Sequence, residues 1–319
     1  MDSKRVIVDT DTAGDDTQAL LYACLSERIA VEAVTVVAGN VPFDHEVENA
    51  KHSLQLAGAA DVPVYEGARS PLVKEFDHAE YVHGEGGLGG ELFPDTGIDS
   101  AEGFGPSAIV EHARAEPGEL SLLCIGPLTN VALALAEEPE LPALVDEVWV
   151  MGGSANHVGN VTPAAEYNFW VDPEAARRVM EAFETTLIDW GLCLRDSVFG
   201  DEAFERVAAM ESELAGFFET ITGPVREFTR ETQGVDGTTQ PDSLTAACMA
   251  HPDLMEETGR YHVTVDEREG LTRGYSAVDV EDVTDGEART RVVESVDRAA
   301  FRESLLSMLE SRDPDAPVR

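Results

Sequence analysis

Short apolar runs recur along this chain, and most end in glycine, asparagine or acids just before a helix-like stretch begins. Such runs occupy residues 6–8, 31–38, 62–65, 120–125, 146–151 and 186–190. Apolar runs without polar alternation suit strands that are buried on both faces. Helix-like stretches follow at 18–25, 46–56, 107–114, 129–136 and 173–183, the last opening on Pro173. Proline is well suited to a first helical position. A helical region at 201–232 carries a break near Gly223-Pro224, and another helix opens directly after Asp242 and runs over 243–250. The tail reads as strands at 261–266, 275–280 and 289–295, then a helix over 298–309. Alternating β and α units predict an α/β fold: an open, mostly parallel, doubly wound, Rossmann-like sheet with helices on both faces. With 319 residues and 43% hydrophobic content, the whole chain, 1–319, suits a single domain with a substantial core. No repeat, linker or low-complexity segment interrupts it.

The first strand-to-helix turn is the most distinctive. Residues 6–20 read VIVDTDTAGDDTQAL, so Asp9, Asp11, Asp15 and Asp16 crowd one turn, with Gly14 giving backbone freedom. Carboxylates this close repel one another unless a cation or a proton sits between them. Hard divalent cations prefer oxygen ligands, which points to calcium or magnesium. The plainer reading is an acidic surface turn in an acidic protein. The run Asp9, Asp11, Thr12 after a strand also resembles the haloacid-dehalogenase phosphatases, in which Asp9 would be a phosphorylated nucleophile. That chemistry usually needs a lysine, and the chain has only Lys4, Lys51 and Lys74.

Other polar residues fall just after expected strands. Asn40 follows the second, Thr129 and Asn130 follow the strand at 120–125, and Asn156, Asn160, Glu166 and Asn168 follow the strand at 146–151. Asp242 opens a late helix. Singly, each has a dull explanation, such as a turn or a helix cap. Together they line one rim of the sheet, where open α/β folds bind ligands.

Charge narrows the partners. Asp plus Glu number 62 against 22 Lys plus Arg, a formal net charge of −40. Nucleic acid and anionic membranes are poor partners for such a surface. The acids are spread along the chain, which suits a salt-rich, halophilic cytoplasm where ions screen self-repulsion. Cys24, Cys124, Cys193 and Cys248 are isolated in apolar stretches and read as reduced thiols. No signal peptide or membrane span is legible, so a cytoplasmic location is expected.

The sequence resembles the inosine–uridine preferring nucleoside hydrolase family over nearly its whole length. The resemblance is carried by DTDTAGDD (9–16), VVAGN (36–40) with ENA (48–50), VPVYEGA (62–68), HGEGGLGG (83–90), IGPLTNVALAL (125–135), VMGGSANHVGNVTPAAEYNFWVDPEAA (150–176), DGTTQPDSL (236–244) and LTRGYSAVD (271–279). It implies calcium-dependent hydrolysis of ribonucleosides to free base and ribose, in a protein that is a homo-oligomer (dimer or tetramer). By the same resemblance, the carboxylates of Asp11, Asp16 and Asp242 and the carbonyl of Thr129 ligate one Ca2+. That ion also binds the ribose diol and the attacking water, and Asp11 takes the water's proton. Asp15, Asn40, Asn160, Glu166 and Asn168, with Asp242, hold the ribose, and His83 approaches the base. Carboxylates around a ribose suit a reaction that develops a sugar cation.

Three departures from the family pattern stand out. Thr12-Ala13-Gly14 replaces Pro-Gly-x, moving the glycine by one position but keeping the acids. Pro241 stands where many members have a histidine that protonates the leaving base, leaving His83 and His157 as candidate donors. Phe228 stands near where a tyrosine often faces the base. Two rival readings follow: the phosphatase with Asp9 as nucleophile, and a nucleoside- or ribose-binding protein that lost its acid at Pro241.

Overall fold

A computed structural model describes residues 3–232 and 237–316. Among the described residues, ten strands fall in chain order: β1 Lys4–Thr10, β2 Ile29–Val36, β3 Val64–Glu66, β4 Leu120–Cys124, β5 Val145–Met151, β6 Thr185–Ile188, β7 Met255–Tyr261, β8 Val263–Val265, β9 Ser276–Val278 and β10 Thr290–Val296. Eight of them form one sheet in the order β3-β2-β1-β4-β5-β6-β10-β7, and β8 and β9 pair as a separate hairpin. All the main-sheet pairings are parallel except β10 with the edge strand β7. This is the expected doubly wound α/β fold.

The apolar runs are continuous because both faces of the sheet are covered. Val6 and Val8 of β1 join one buried cluster with Leu20, Leu123, Trp149 and Met249. Ile7 joins the opposite cluster with Leu122, Val148, Val150 and Phe169. Alternate residues of a strand point to opposite faces, so a strand between two helical layers must be apolar throughout. Strand order reverses at β1: β2 lies on one side and β4 on the other. That reversal opens a crevice at the carboxyl ends of β1 and β4, the usual ligand position in such sheets.

Several elements depart from the sequence-based expectation. Asp9 lies inside β1, not in the turn after it. The first helix, Gly14–Leu25, starts four residues before the expected position, so Asp15 and Asp16 form its first turn. The region at 201–232 is two helices, Asp201–Ala208 and Glu213–Thr232, and the second runs through Pro224 without a break. Residues after β6 form a helix, Trp190–Asp196, capped by the Asp189 side chain. The edge strand β7 was not foreseen. Among the described residues, no helix is long and apolar enough to cross a membrane.

Candidate active site

The carboxyl end of β1 delivers Asp11, and the first turn of helix Gly14–Leu25 delivers Asp15 and Asp16. Helix Pro241–Ala250 brings in Asp242, with Pro241 as its first residue. One carboxylate oxygen from each of Asp15, Asp16 and Asp242 lies within 4.8 Å of the others. Asp11 sits outside this trio. It is fully buried, and its Oδ2 accepts the Asn40 backbone N–H at 3.0 Å. Asp16 is held by three donors: the Thr10 hydroxyl at 2.7 Å, the Ala13 N–H at 3.2 Å and the Asn40 side-chain amide at 3.2 Å. Asp11 Oδ1 and Asp15 Oδ2 are buried without a hydrogen-bond partner.

Such crowding is electrostatically expensive. Burial, then repulsion from Asp16 and Glu46, pushes Asp11 well above the usual carboxylate range. Burial and the charge of Asp15 raise Asp16 to about 7, and burial with Asp15, Asp16 and Asp11 nearby raises Asp242 strongly. No lysine or arginine is among the described residues that line the adjoining cavity. An all-oxygen donor set with unpartnered lone pairs and no protein counter-charge fits a hard divalent cation.

The cavity above these acids encloses about 800 Å³ of unfilled space, counting its open mouth, a size suited to a small ligand. Its polar side carries Asp15, Asn40, Asn160, Glu166, Asn168 and Asp242. Glu166 caps helix Tyr167–Val171: its carboxylate accepts the N–H groups of Gly153 at 2.7 Å and Asn168 at 2.9 Å. Burial nevertheless lifts it to about 7. The Asn168 side-chain amide donates to the carbonyls of Ile125 and Met151, at the ends of β4 and β5. The β8–β9 hairpin holds the loop that carries Asn160, because the N–H groups of Ser154 and Ala155 both donate to the Ser276 hydroxyl.

Apolar and aromatic side chains also line the cavity: Tyr81, Val82, Trp190, Val225 and Phe228, with Pro241 and His83. Tyr81 and Phe228 meet edge to face at 5.7 Å. No sequence pattern marked Tyr81 or Trp190, which come from short segments without periodicity. His83 ends the short helix Glu80–His83, and its Nδ1 is buried without a partner. Burial lowers its pKa, and the charge of Asp15 opposes the shift. Gly14 explains the shifted glycine of the first motif: its φ is +41°, and a Cβ there would lie 2.3 Å from His83 Nδ1.

The other expected residues lie as follows. Asp15, given to the ribose, groups with Asp16 and Asp242; Asp11, given to the cation, is outside that group and not among the described lining residues, though its charge acts on Asp242 and that of Asp16 acts on it. Asp11 directly follows the buried strand β1, and Asp15 lies in the first turn of helix Gly14–Leu25. The Thr129 hydroxyl donates to Asp172 at 2.7 Å, and Thr129 does not line the cavity. Asn156 is spent on the hairpin, donating to the Val278 carbonyl and accepting the Val278 N–H. His157 is exposed and off the cavity, so His83 is the one histidine among the described lining residues. Asp9 is fully buried, accepts from Thr35 and Asn130, and does not reach the cavity. Lys4, Lys51 and Lys74 are paired with Glu147, Glu48 and Glu174, so none serves a phosphoryl group here. The segment 236–244 begins at a residue outside the described ones.

Known proteins are similar to this chain over nearly its whole length. The chain is 33% identical over 311 residues to the pyrimidine-specific ribonucleoside hydrolase RihA of Shewanella woodyi, covering 97% of this chain and 99% of that protein. It superposes on a plant nucleoside hydrolase with a TM-score of 0.89 at 29% identity, covering 97% of this chain and 99% of the other. It also matches the purine-preferring ribonucleoside hydrolase of Gardnerella vaginalis with a TM-score of 0.89 at 26% identity, covering 96% and 98%. With residues 6–303 matching its family model, the chain belongs to the inosine-uridine preferring nucleoside hydrolases.

Proposed function

We propose that this nucleoside hydrolase cleaves the N-glycosidic bond of ribonucleosides with one calcium ion, held by the carboxylates of Asp11, Asp16 and Asp242 and the carbonyl of Thr129. The observation that carries the reading is the group of Asp15, Asp16 and Asp242, at a cavity with no basic side chain among its described lining residues. A bound calcium supplies the charge that orients the ribose diol and a water and lowers that water's pKa. Asp11 receives the water's proton: Oδ1 has no partner, while Oδ2 is fixed by the Asn40 N–H. Asp15, Asn40, Asn160, Glu166 and Asn168 bind the ribose. Their acids also favour the positive charge that builds on the sugar as the bond to the base breaks.

The base lies against the apolar side, where Tyr81, Trp190 and Phe228 offer ring surface. Pro241 lines the cavity but carries no proton to give. His83, once protonated from solvent, is the donor to the leaving base; burial lowers its pKa against the charge of Asp15, which makes its imidazolium a stronger acid than a free one. The net charge of −40 supports a working environment of high salt, inside the cytoplasm.

The test compares ribose release from a ribonucleoside and its 2′-deoxy analogue. A site that spends buried polar groups on the 2′ hydroxyl rejects the deoxy compound by roughly 10⁴-fold or more. Equal rates would remove the ribose assignments. Tight nucleoside binding with no ribose released at any calcium level would mark a binding protein instead.

A further inference from the structure

Backbone groups of the turn at residues 39–41 are tied to several parts of the site, and the Gly39 carbonyl also meets His78 Nδ1 at 2.7 Å. The Asn40 N–H donates to Asp11 Oδ2 at 3.0 Å. The Asn40 carbonyl accepts the Ala79 N–H at 2.7 Å, just before the helix that ends at His83. The Gly39 carbonyl accepts the hydroxyl of Tyr167 at 2.9 Å, and Tyr167 lies between Glu166 and Asn168. The two remaining N–H groups, of Gly39 and Val41, both donate to one atom, Glu46 Oε1, at 3.0 and 3.1 Å. Glu46 reaches back from the first turn of helix Phe43–Ala57. It is 0% exposed, and its Oε2 has no partner.

We propose that Glu46 is a positioning residue for the reaction: its carboxyl pins the turn at 39–41 and through it sets the places of Asp11, Asn40 and His83. The proposal rests on the functional reading above, since it takes Asp11 and Asn40 as working groups. Two buried N–H groups need an acceptor, and losing it costs more than the bonds themselves contributed. Glu46 acts here by its shape and its acceptor oxygen. A further buried negative charge beside Asp11 and Asp16 would add to their repulsion, and burial pushes this acid well above the usual carboxylate range. A glutamine keeps the acceptor and the length of the side chain, so it should serve as well.

The experiment uses the full-length chain and three variants, Glu46→Gln, Glu46→Ala and Glu46→Asp. Two readouts are taken besides turnover: calcium affinity by calorimetry, and amide hydrogen exchange over residues 39–41 in the metal-free protein. Glu46→Gln should match wild type within about threefold in calcium Kd, kcat and exchange. Glu46→Ala should speed exchange of the turn and weaken calcium binding by about tenfold or more each, with kcat falling as Asp11 loses its place. Should the alanine variant fail to fold, Glu46→Asp, one carbon shorter, is expected to show the same losses. An alanine or aspartate variant indistinguishable from wild type would overturn the proposal, and so would a glutamine variant as impaired as the alanine. Wild type that binds no calcium would instead sink the calcium reading, while the exchange measurement still decides the role of Glu46.

Discussion

Gly39→Ala should cripple the enzyme without unfolding it. A Cβ at position 39 would lie 2.0 Å from Asp11 Oδ2 and 2.7 Å from its Cγ, where ordinary contact starts at 3.4 Å. Gly126 also packs near the carboxylate, for a Cβ there would lie 2.8 Å from Asp11 Oδ1. Either Asp11 or the turn at 39–41 must therefore move by about 1 Å or more, and a misplacement of that size costs on the order of 10²-fold in rate. The assay is the initial rate of ribose release from uridine and inosine, with circular dichroism and thermal melting to confirm the fold. Gly216→Ala is the control, since a Cβ there meets nothing within 4 Å inside helix Glu213–Thr232. That control should keep full activity and gain up to about 1 kcal/mol of stability from better helix propensity. A folded Gly39→Ala enzyme within about threefold of wild type in kcat/KM would refute the view that Asp11 works from its observed position.

Three further outcomes are expected. His83→Ala should slow poor leaving groups by about 10²- to 10⁴-fold but spare an activated substrate such as p-nitrophenyl riboside, whereas equal slowing would leave His83 a positioning role only. Burial holds Asp9 and Glu166 at about 7 in the folded state, above the value near 4 of an unfolded carboxyl. The folded metal-free protein thus keeps protons that the unfolded chain has lost, so the contribution of these groups is full below about pH 4 and disappears as pH rises through about 7. The urea midpoint of that protein should be higher near about pH 5.5 than near about pH 8, with a smaller difference in Glu166→Gln; an equal or reversed difference contradicts the assignment. The charge of −40 should raise the melting temperature in 1 M salt over 0.1 M, as screening shortens from about 10 Å to about 3 Å, and an unchanged value would argue against a high-salt protein.

The sheet was legible because β4 and the later residues of β1, β2 and β5 are buried and read as short, mostly apolar runs. The polar edge strand β7, MEETGRY, has no such signature and was missed. Pro224 suggested a helix break, yet the helix passes through it. The Thr220 carbonyl, which a proline cannot serve, lies against Gly89 of the glycine-rich loop, where a Cβ would come within 2.4 Å. That close approach involves a distant segment and leaves no local trace. The acids of the site were legible from spacing and resemblance, but their layering was not. Asp9 looks like a turn acid until Thr35 and Asn130 are seen to hold it inside the sheet. The cavity lining joins Tyr81, Trp190 and Phe228 from three separate segments, which no periodicity connects. Glu46 read as the start of a helix, because its partners are the backbone N–H groups of the preceding turn.

The central claim is that the acids of this cavity work around a calcium ion on ribonucleosides. Exhaustive chelation, checked by elemental analysis, followed by calcium titration while ribose release is measured, tests it most directly. Activity should be lost on chelation and restored by calcium in proportion to a single bound ion, with Asp242→Asn needing far more calcium for the same recovery. Full turnover by a preparation free of divalent metal would contradict it.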